Sequence, residues 1–414
     1  MFFYNLTIAL YGLFLRFAAL FVPKAKAWRN GRKHWQSDLQ RMRTAGSWIW
    51  MHCASAGEFE QGKPVLEALR SRFPEHKLLV SFFSPSGHEV GVKYKGIDAI
   101  TYLPLDTASN AARFVSIVDP ALVIFIKYDY WYHHLAAVAK RKTPLLLVSA
   151  IFRPQQAFFK WYGGVQRRLL SFFTWLFVQD DASVQLLAQI GVQHCSANGD
   201  TRFDRVATIT EAAASLPLVQ AFVERGEGPV LVAGSTWPDD EELLEALPAS
   251  VRMIIAPHEI DLPHIDALRA RFGRDAIAYS ELELHESAAA LRVLLVDNFG
   301  MLSRLYQYAD ITYIGGGFNK SGIHNTLEAA AWGKPVLFGP NYAKFREARG
   351  LIEAGAAHSV RTADELDAAM APLLASAEQR AAAGAAASAY VRANIGATAR
   401  VIQFIQEKRL LTNP

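Results

Sequence analysis

Residues 310–340 read DITYIGGGFNKSGIHNTLEAAAWGKPVLFGP, and this stretch decides the fold class of the chain. A short apolar run leads through three glycines and a polar segment into an alanine-rich segment, and a second apolar run follows. Nearly continuous apolar runs that alternate with helical segments are typical of parallel strands covered by helices on both faces. The stretch therefore predicts a strand–helix–strand unit of a parallel sheet.

Runs of the same kind recur along the chain on both sides of a polar stretch. The earlier series is WIWMHCA (48–54), KLLVSFF (77–83), ALVIFIKY (121–128), PLLLVSA (144–150) and WLFVQ (175–179), and the later one adds PVLVAGS (229–235), RMIIAPH (252–258) and RVLLVD (292–297). Two such series predict two doubly wound α/β domains, with a seam near 205–228 where strand signal is weak. We expect an anchor at 1–22, domains at 23–210 and 225–395, and a C-terminal helix at 396–414.

Composition agrees with a folded two-domain protein. The chain has 414 residues, too many for one ordinary domain, and its 51% hydrophobic and 20% charged residues exclude a disordered chain. The two cysteines, Cys53 and Cys195, are far apart and have no metal-ligand spacing. This usage predicts buried thiols in a reducing compartment.

The N-terminus combines an apolar stretch with a basic one. Residues 1–22, MFFYNLTIALYGLFLRFAALFV, are apolar but contain Arg16, and basic residues cluster at 24–33. Residues 1–50 carry a net charge of +7 although the whole chain carries only +4. Positive charge after the apolar run is unlike a secretory signal and predicts an uncleaved anchor at an anionic cytoplasmic membrane surface. Whether it spans the bilayer or lies in the interface stays open, and a buried amphipathic helix is the alternative.

The glycine-rich loop is the first candidate site. Ligands in open α/β sheets bind beyond the carboxyl ends of the strands, where this loop falls. We expect its glycines to let the backbone approach a ligand, and Asn325 and Glu328 to share the first turn of the following helix. A carboxylate there would accept hydrogen bonds from paired hydroxyls such as those of a ribose. Helix capping alone is the alternative.

Several segments resemble the 3-deoxy-D-manno-octulosonate (Kdo) transferases of lipopolysaccharide synthesis. They are GGGFNKSGIHNTLEAAAWGKPVLFGPNYAKF, which begins at 315, and, in chain order, HCASAGEFEQGKPVLEAL (52–69), GDTRFDRV (199–206), AGSTWPDDEELL (233–244) and VLLVDNFGML (293–302). The resemblance implies the two-domain GT-B fold and inverting transfer of Kdo from CMP-Kdo to a lipid A precursor. It also implies work at the cytoplasmic face of the inner membrane without a cofactor.

The resemblance implies catalytic roles in the first domain. Glu58 matches the family's general base, and a carboxylate after Gly57 at a helix start suits proton abstraction from a sugar hydroxyl. Its alternative role is a helix cap. Where the family has Glu-x-Glu-x-Trp-Pro, this chain reads Lys127-Tyr-Asp129-Tyr-Trp131-Tyr, so Asp129 keeps the second acid while Lys127 reverses the first. Arg202 replaces the usual Lys and is predicted to stabilise the departing phosphate.

In the second domain the resemblance implies a CMP site. The family's Pro-Arg-His reads Pro257-His258-Glu259 here, and a methionine replaces the glutamate of its Asp-x-x-Gly-Glu-Leu segment. The predicted nucleotide-binding residues are Pro257, His258, Phe299, Gly300, Met301, Asn325, Thr326, Leu327 and Glu328.

The sequence contains no motif typical of metal binding or of nucleic-acid binding. The acids at 239–242 follow Thr236 and are interpreted as a capping box from Thr236 to Asp239 plus dipole compensation. No Asp-x-Asp occurs, and a monophosphate leaving group needs no divalent ion, so we predict neither metal nor nucleic acid as a partner. Two alternatives stay open: a GT-B transferase or epimerase that uses a UDP-sugar, and a non-catalytic scaffold that binds lipid or nucleotide.

Overall fold

The computed structural model describes residues 1–212, 214–284 and 291–411, without the side chains of 283 and 284. It divides into two compact units, residues 1–205 with 395–414, and residues 206–394. The helix predicted at the C-terminus is present, and it belongs to the first unit.

The first unit is built on a parallel sheet of seven strands in the order β3-β2-β1-β4-β5-β6-β7. The strands are β1 (Trp48–Cys53), β2 (Lys77–Phe82), β3 (Ala99–Tyr102), β4 (Pro120–Ile126), β5 (Leu145–Ala150), β6 (Trp175–Val178) and β7 (Cys195–Ala197). The helices of this unit are α1 (Phe2–Ala18), α2 (Pro23–Asn30), α3 (Trp35–Met42), α4 (Ala56–Arg72), α5 (Pro85–Lys93), α6 (Ala108–Val118), α7 (Tyr132–Lys140), α8 (Gly164–Leu170) and α9 (Asp181–Gln189). After α10 (Thr201–Ala212), which begins here and runs into the second unit, α19 (Ala397–Glu407) returns to the first.

Both faces of the first sheet are buried, as a parallel sheet requires. Successive residues of β1 alternate between two cores: Trp50 packs with Phe125 and Leu147 in one. Met51 packs with its neighbours in the other, to which α19 contributes Val401. The C-terminal helix therefore completes the core of the first unit.

Helix α1 packs on the first unit by one narrow stripe. Ile8 and Gly12 are buried, and a Cβ on Gly12 would lie 2.6 Å from Leu105. The opposite face exposes large apolar side chains, including Phe3 at 80% and Phe14 at 64%. In the part of the chain that the structure describes, no single helix is long and apolar enough to cross a membrane, although two bent helix pairs, one of them α1 with α2, meet that requirement together.

The second unit has its own parallel sheet of seven strands, in the order β10-β11-β9-β8-β12-β13-β14. Its strands are β8 (Val230–Thr236), β9 (Arg252–Pro257), β10 (Ala276–Ala278), β11 (Val293–Leu295), β12 (Ile311–Ile314), β13 (Val336–Phe338) and β14 (Ala357–Ser359). Its helices are α11 (Pro217–Arg225), α12 (Pro238–Glu245), α13 (Leu262–Phe272), α14 (Leu302–Leu305), α15 (Leu327–Ala331), α16 (Arg346–Glu353), α17 (Ala363–Ala375) and α18 (Ala377–Ala393). Two doubly wound domains of this kind form the GT-B fold, so the predicted α/β class is confirmed.

Candidate active site and nucleotide site

Each sheet reverses its strand order next to its first strand, between β1 and β4 in the first unit and between β8 and β12 in the second. Beyond the carboxyl ends of strands at such a switch point lies the usual ligand crevice of a doubly wound sheet. Glu58 follows β1 and Asp129 follows β4, whereas the glycines at 315–317 follow β12. The sequence candidates therefore lie at the two switch points.

Glu58 is held at the start of α4 by the residue that caps this helix. The Ser55 amide donates to Glu58 Oε2 at 3.0 Å, and the Glu58 amide donates to Ser55 Oγ at 3.4 Å. This reciprocal pair is a capping box. Glu58 therefore does cap the helix, as the alternative role predicted. The cap uses only one of its two carboxylate oxygens.

Electrostatics at Glu58 suit a base. Burial raises the pKa of Glu58 above its usual range, and the carboxylate of Asp129 raises this pKa further. His52, Lys127 and the Ser55 amide act in the opposite direction. A raised pKa makes a carboxylate a better proton acceptor, which suits a general base.

Asp129 is oriented by a chain of side chains that runs through the sheet. Trp50 Nε1 donates to Ser81 Oγ at 2.7 Å, and Ser81 Oγ lies 2.8 Å from His52 Nδ1. His52 Nε2 lies 2.7 Å from Asp129 Oδ2. Because the indole can only donate, the Ser81 hydroxyl is free to donate to Nδ1, which leaves the Nε2 proton for Asp129.

Asp129 also accepts a bond from its own loop, where Trp131 Nε1 donates to Oδ2 at 3.0 Å. Sequence reasoning named Asp129 but missed His52 and Ser81. The available signal in the sequence was a polar residue near the carboxyl end of an apolar run. In the structure both His52 and Ser81 are 0% exposed.

Lys127 and Arg202 converge on one acceptor. With its amide oriented to accept, Gln61 Oε1 lies 3.0 Å from Lys127 Nζ and 3.1 Å from Arg202 Nε. The Arg202 guanidinium also pairs with Asp200 at 2.8 Å. Lys127 has a left-handed backbone with φ of 64°, and Ser149, at the end of the neighbouring strand, has φ of 58°. Such conformations cost energy in non-glycine residues and cluster at functional sites.

In the second unit, the glycines of the loop after β12 serve the protein's own packing. A Cβ on Gly315 would lie 2.3 Å from the Ser235 carbonyl oxygen, and one on Gly317 would lie 2.4 Å from Gly339 Cα. Gly316 has φ of 85° and donates its amide to Asp240 Oδ2 at 2.8 Å. These contacts explain the three glycines without a ligand, so the sequence interpretation that they admit a ligand stays a prediction.

Asn325 and Glu328 form a hydrogen-bonded pair, but not within one helical turn. Helix α15 begins at Leu327 with Thr326 as its N-cap, so the prediction that Asn325 lies in the first turn is wrong. Asn325 Nδ2 donates to Glu328 Oε1 at 3.0 Å, while its Oδ1 accepts from the Leu327 amide at 3.2 Å. Asn325 therefore orients the Glu328 carboxylate and caps the helix as well.

Three rings stack beside this pair. The His258 ring stacks on Trp237, with ring centroids 4.7 Å apart, and on His324, with centroids 4.5 Å apart. Trp237 Nε1 donates to His324 Nε2 at 3.2 Å. Burial, with a smaller effect of His258, lowers the pKa of His324 to about 4, so this ring is neutral at neutral pH. Trp237 and His324 were missed as site residues, although both lie within the quoted family-like segments.

The remaining nucleotide candidates differ in what they expose. Phe299 is 78% exposed, whereas Met301 is 6% exposed and Leu327 is fully buried. Thr326 is also fully buried, and its hydroxyl has no hydrogen-bond partner among the described residues. Gly300 has φ of 88°. Leu327 can therefore offer a ligand only its backbone, while Phe299 can offer its ring. Pro257 ends β9, immediately before His258.

Among the acids at 239–242, Asp240 and Glu241 have structural roles, and the predicted capping box is displaced by one residue. Helix α12 begins at Pro238, and the Trp237 amide donates to Asp240 Oδ2 at 3.0 Å. Thr236 instead donates its hydroxyl to Glu241 at 2.9 Å. The described ranges contain no group of three His, Cys, Asp or Glu side chains that could hold a metal ion.

Comparison with known proteins finds sequence similarity to one family of enzymes. Residues 27–205 match the model of the family described as 3-deoxy-D-manno-octulosonic-acid transferase (kdotransferase). A protein of the name 3-deoxy-D-manno-octulosonic acid transferase from Bordetella pertussis is 29% identical over 87% of each chain. One of the same name from Aquifex aeolicus is 28% identical, over 77% of this chain and 83% of its own.

Solved structures show the same fold at low identity. The UDP-GlcNAc 2-epimerase of Neisseria meningitidis matches with a TM-score of 0.61 and 15% identity, covering 87% of this chain and all of its own. The enzyme of that name from Methanocaldococcus jannaschii matches with a TM-score of 0.54 and 13% identity, over 87% and 100%.

Two doubly wound domains with candidate site residues at both switch points define the GT-B fold, which the epimerases above share. Among proteins of this fold, the match over residues 27–205 and the two relatives point to Kdo transferases. The chain is thus similar to Kdo transferases, through the family model over residues 27–205 and through relatives at 28–29% identity over most of its length.

Proposed function

We propose that this protein is an inverting glycosyltransferase that moves Kdo from CMP-Kdo to a lipid A precursor in lipopolysaccharide synthesis. One observation carries the proposal: Glu58, the residue that matches the family's base, is a half-buried carboxyl at the β1/β4 switch point, and desolvation raises its pKa. A base in this place needs a raised pKa and a fixed orientation, and Ser55 supplies the orientation.

In the proposed reaction the acceptor hydroxyl attacks the anomeric carbon of Kdo while the bond from that carbon to the phosphate oxygen of CMP breaks. Glu58 takes the hydroxyl proton, and the electron pair of the broken bond leaves with CMP. Asp129, oriented by His52 and Trp131, stabilises the positive charge that develops on the sugar. Arg202 is the proposed partner of the departing phosphate.

We assign CMP to the second unit. Glu328, oriented by Asn325, would accept hydrogen bonds from the ribose hydroxyls. The exposed rings of His258 and Phe299 would flank the base, with Gly300 and Met301 beside it. Pro257, Thr326 and Leu327 would contribute backbone groups, and the Thr326 hydroxyl gives the site one spare donor.

Helix α1 is the proposed membrane contact at the cytoplasmic face of the inner membrane. It keeps one stripe on the protein and exposes Leu13, Phe14 and Phe17 on the other. This arrangement suits a helix that lies in the membrane interface, with cations beside its apolar face. Replacing Phe14 and Phe17 by Ser should release the protein from vesicles and leave its thermal unfolding unchanged. Continued sedimentation with vesicles at high salt would contradict this assignment.

The transfer itself is tested with purified protein, CMP-Kdo and a lipid A precursor, with products analysed by mass spectrometry. We expect an acceptor heavier by one or more Kdo residues and stoichiometric release of CMP. UDP-GlcNAc in place of CMP-Kdo tests the UDP-sugar alternative. Binding of CMP without consumption of CMP-Kdo would favour a scaffold.

A further inference from the structure

A cavity of about 930 Å³ lies beneath α1 and has no role in the reaction above. Four cationic side chains line it: Arg16 from α1, Arg29 from α2, and Arg32 and Lys33 from the turn that follows α2. None of the described residues that line it is acidic. The nearby carboxylate of Asp106 is bonded to Tyr4, His133 and His134. Positive charge in this cavity therefore has no carboxylate counterpart along its wall.

One of these cations, Arg32, is buried and has no anionic partner among the described residues. Arg32 is 9% exposed, and its guanidinium donates to the carbonyls of Leu103, Trp28 and Phe83. Carbonyl oxygens satisfy its donors but do not neutralise its charge. Burial lowers the pKa of Arg32 to about 9, the direction expected for a desolvated cation without a counterion.

The cavity wall also holds unused donors. Trp28 is 9% exposed and its Nε1 has no acceptor among the described residues, and the same holds for the buried Nε of Arg29. Buried donors are normally paired, so these two point to an acceptor that binds there. An indole N–H and guanidinium N–H groups all donate, which fits a group with several acceptor oxygens.

The residues around the cavity indicate which kind of molecule carries the group with several acceptor oxygens. Arg16 lines the cavity, and the same helix exposes Leu13 and Phe17. A ligand that enters past α1 would thus meet an apolar surface next to the cationic cavity. Several cations without an acid favour a doubly charged anion, and a phosphate monoester carries about −1.5 to −2 at neutral pH.

We propose that this cavity binds the phosphate monoester of a lipid head group, at a site separate from the Glu58 carboxylate. Two lipids could present it, a phospholipid of the membrane or the acceptor itself, and the second case rests on the proposed transferase function. Phosphate binding by Arg29 and Lys33 would hold the lipid while its tail stays beside α1.

The test measures sedimentation of full-length protein with phosphatidylcholine vesicles that contain phosphatidic acid, which has a phosphate monoester. Comparison vesicles contain phosphatidylglycerol, a diester, at the fraction that gives the same zeta potential. We expect about tenfold tighter binding to phosphatidic acid, the effect of one charge-assisted hydrogen bond. Equal binding to both vesicle types would overturn the proposal.

Matched variants locate the effect. Arg29→Gln with Lys33→Gln removes two charges from the cavity wall, whereas Lys24→Gln with Lys26→Gln removes two exposed charges from α2 that do not line it. The first pair should lose the preference for phosphatidic acid, and the second should bind both vesicles more weakly yet keep it. Loss of the preference in both pairs would overturn the proposal.

The pair Arg16→Gln and Lys33→Gln repeats the test at two exposed cationic side chains. It remains informative if the Arg29 variant unfolds at a lower temperature. The vesicle assay needs no turnover, so its failure is distinct from failure of the transferase proposal.

A transfer assay in detergent then distinguishes the two lipids that could present the phosphate. A raised KM for the acceptor at unchanged kcat identifies the acceptor phosphate, and an unchanged KM with lost vesicle preference identifies a membrane phospholipid.

Discussion

The carboxyl edges of the two sheets share a topology and differ in chemistry. At the β1/β4 switch point the structure gathers titratable side chains, with Glu58, Lys127 and Asp129 in a network that extends through His52. At the β8/β12 switch point it places closely packed glycines, stacked rings and the Asn325–Glu328 pair. Under the proposed function, the first edge moves a proton and the second holds a ligand by shape and hydrogen bonds. The same fold therefore separates chemistry from binding through the side chains placed at the end of each strand.

The largest expected effect tests the chemical edge. Glu58→Gln keeps the hydrogen bond to the Ser55 amide, because Gln also serves in a capping box, but it cannot take a proton. Turnover should fall about 10²–10⁴-fold, the usual contribution of a general base, while CMP affinity stays the same. Steady-state kinetics and CMP titration measure the two quantities.

Glu60→Gln is the matched control, because this neighbouring carboxylate is 45% exposed and pairs with Lys63 and Arg205. It should leave turnover near normal. Near-normal turnover in Glu58→Gln would move the base elsewhere, with Asp129 as the first candidate. Loss of folding in that variant would instead make Glu58 a structural cap.

The next effect tests the binding edge. Glu328→Gln removes the charged acceptor that Asn325 orients, and hydrogen bonds to a charged group are worth about 1.5–3 kcal/mol. CMP affinity should therefore fall about 10- to 100-fold in calorimetry. We expect turnover at saturating donor to change much less.

Glu353→Gln, at an exposed position in α16 of the same unit, controls for loss of one negative charge. If both variants bind CMP equally well, the carboxylate does not contact the nucleotide. A fall in turnover at saturating donor comparable to that of Glu58→Gln would contradict the separation of the two edges.

A smaller effect concerns Lys127, where this chain reverses the family's charge. The Lys127 ammonium lowers the pKa of Glu58, so Lys127→Met should raise that pKa further. A base works when ionised, so the acid limb of the kcat/KM profile should move to higher pH, with activity lost first on the acidic side.

Lys140→Met, at the exposed end of α7, is the control for loss of a lysine and should leave the profile in place. A shift of the acid limb to lower pH in Lys127→Met would contradict the assignment of Glu58 as the titrating base.

The smallest expected effect is on metal dependence. The proposed leaving group, CMP, is a monophosphate, and the described residues offer no cluster of three metal-ligating side chains. Activity should survive excess chelator. Loss of turnover that magnesium restores would indicate a diphosphate donor and would contradict the CMP site assigned to the β8/β12 switch point.

Sequence reasoning found every interior strand and missed the four at the sheet edges. The missed strands are β3, β7, β10 and β14, which have three or four residues each and end the two sheets. Interior strands are covered on both faces and flanked on both sides, so they read as long apolar runs. Edge strands are shorter and less enclosed, as β7 shows with no fully buried residue, so their pattern does not stand out.

The sequence by itself determined the fold class and the residues that come after each central strand, because burial on both faces forces apolar runs and motif spacing lies along the chain. Only the tertiary structure decided which distant groups meet. The bond between His52 and Asp129 joins residues 77 positions apart, and the contacts of Lys127 and Arg202 with Gln61 join three separate segments. The cavity beneath α1 likewise exists only once α1 and α2 pack against the segment after β3. Such sites depend on strand order and packing, which local patterns do not encode.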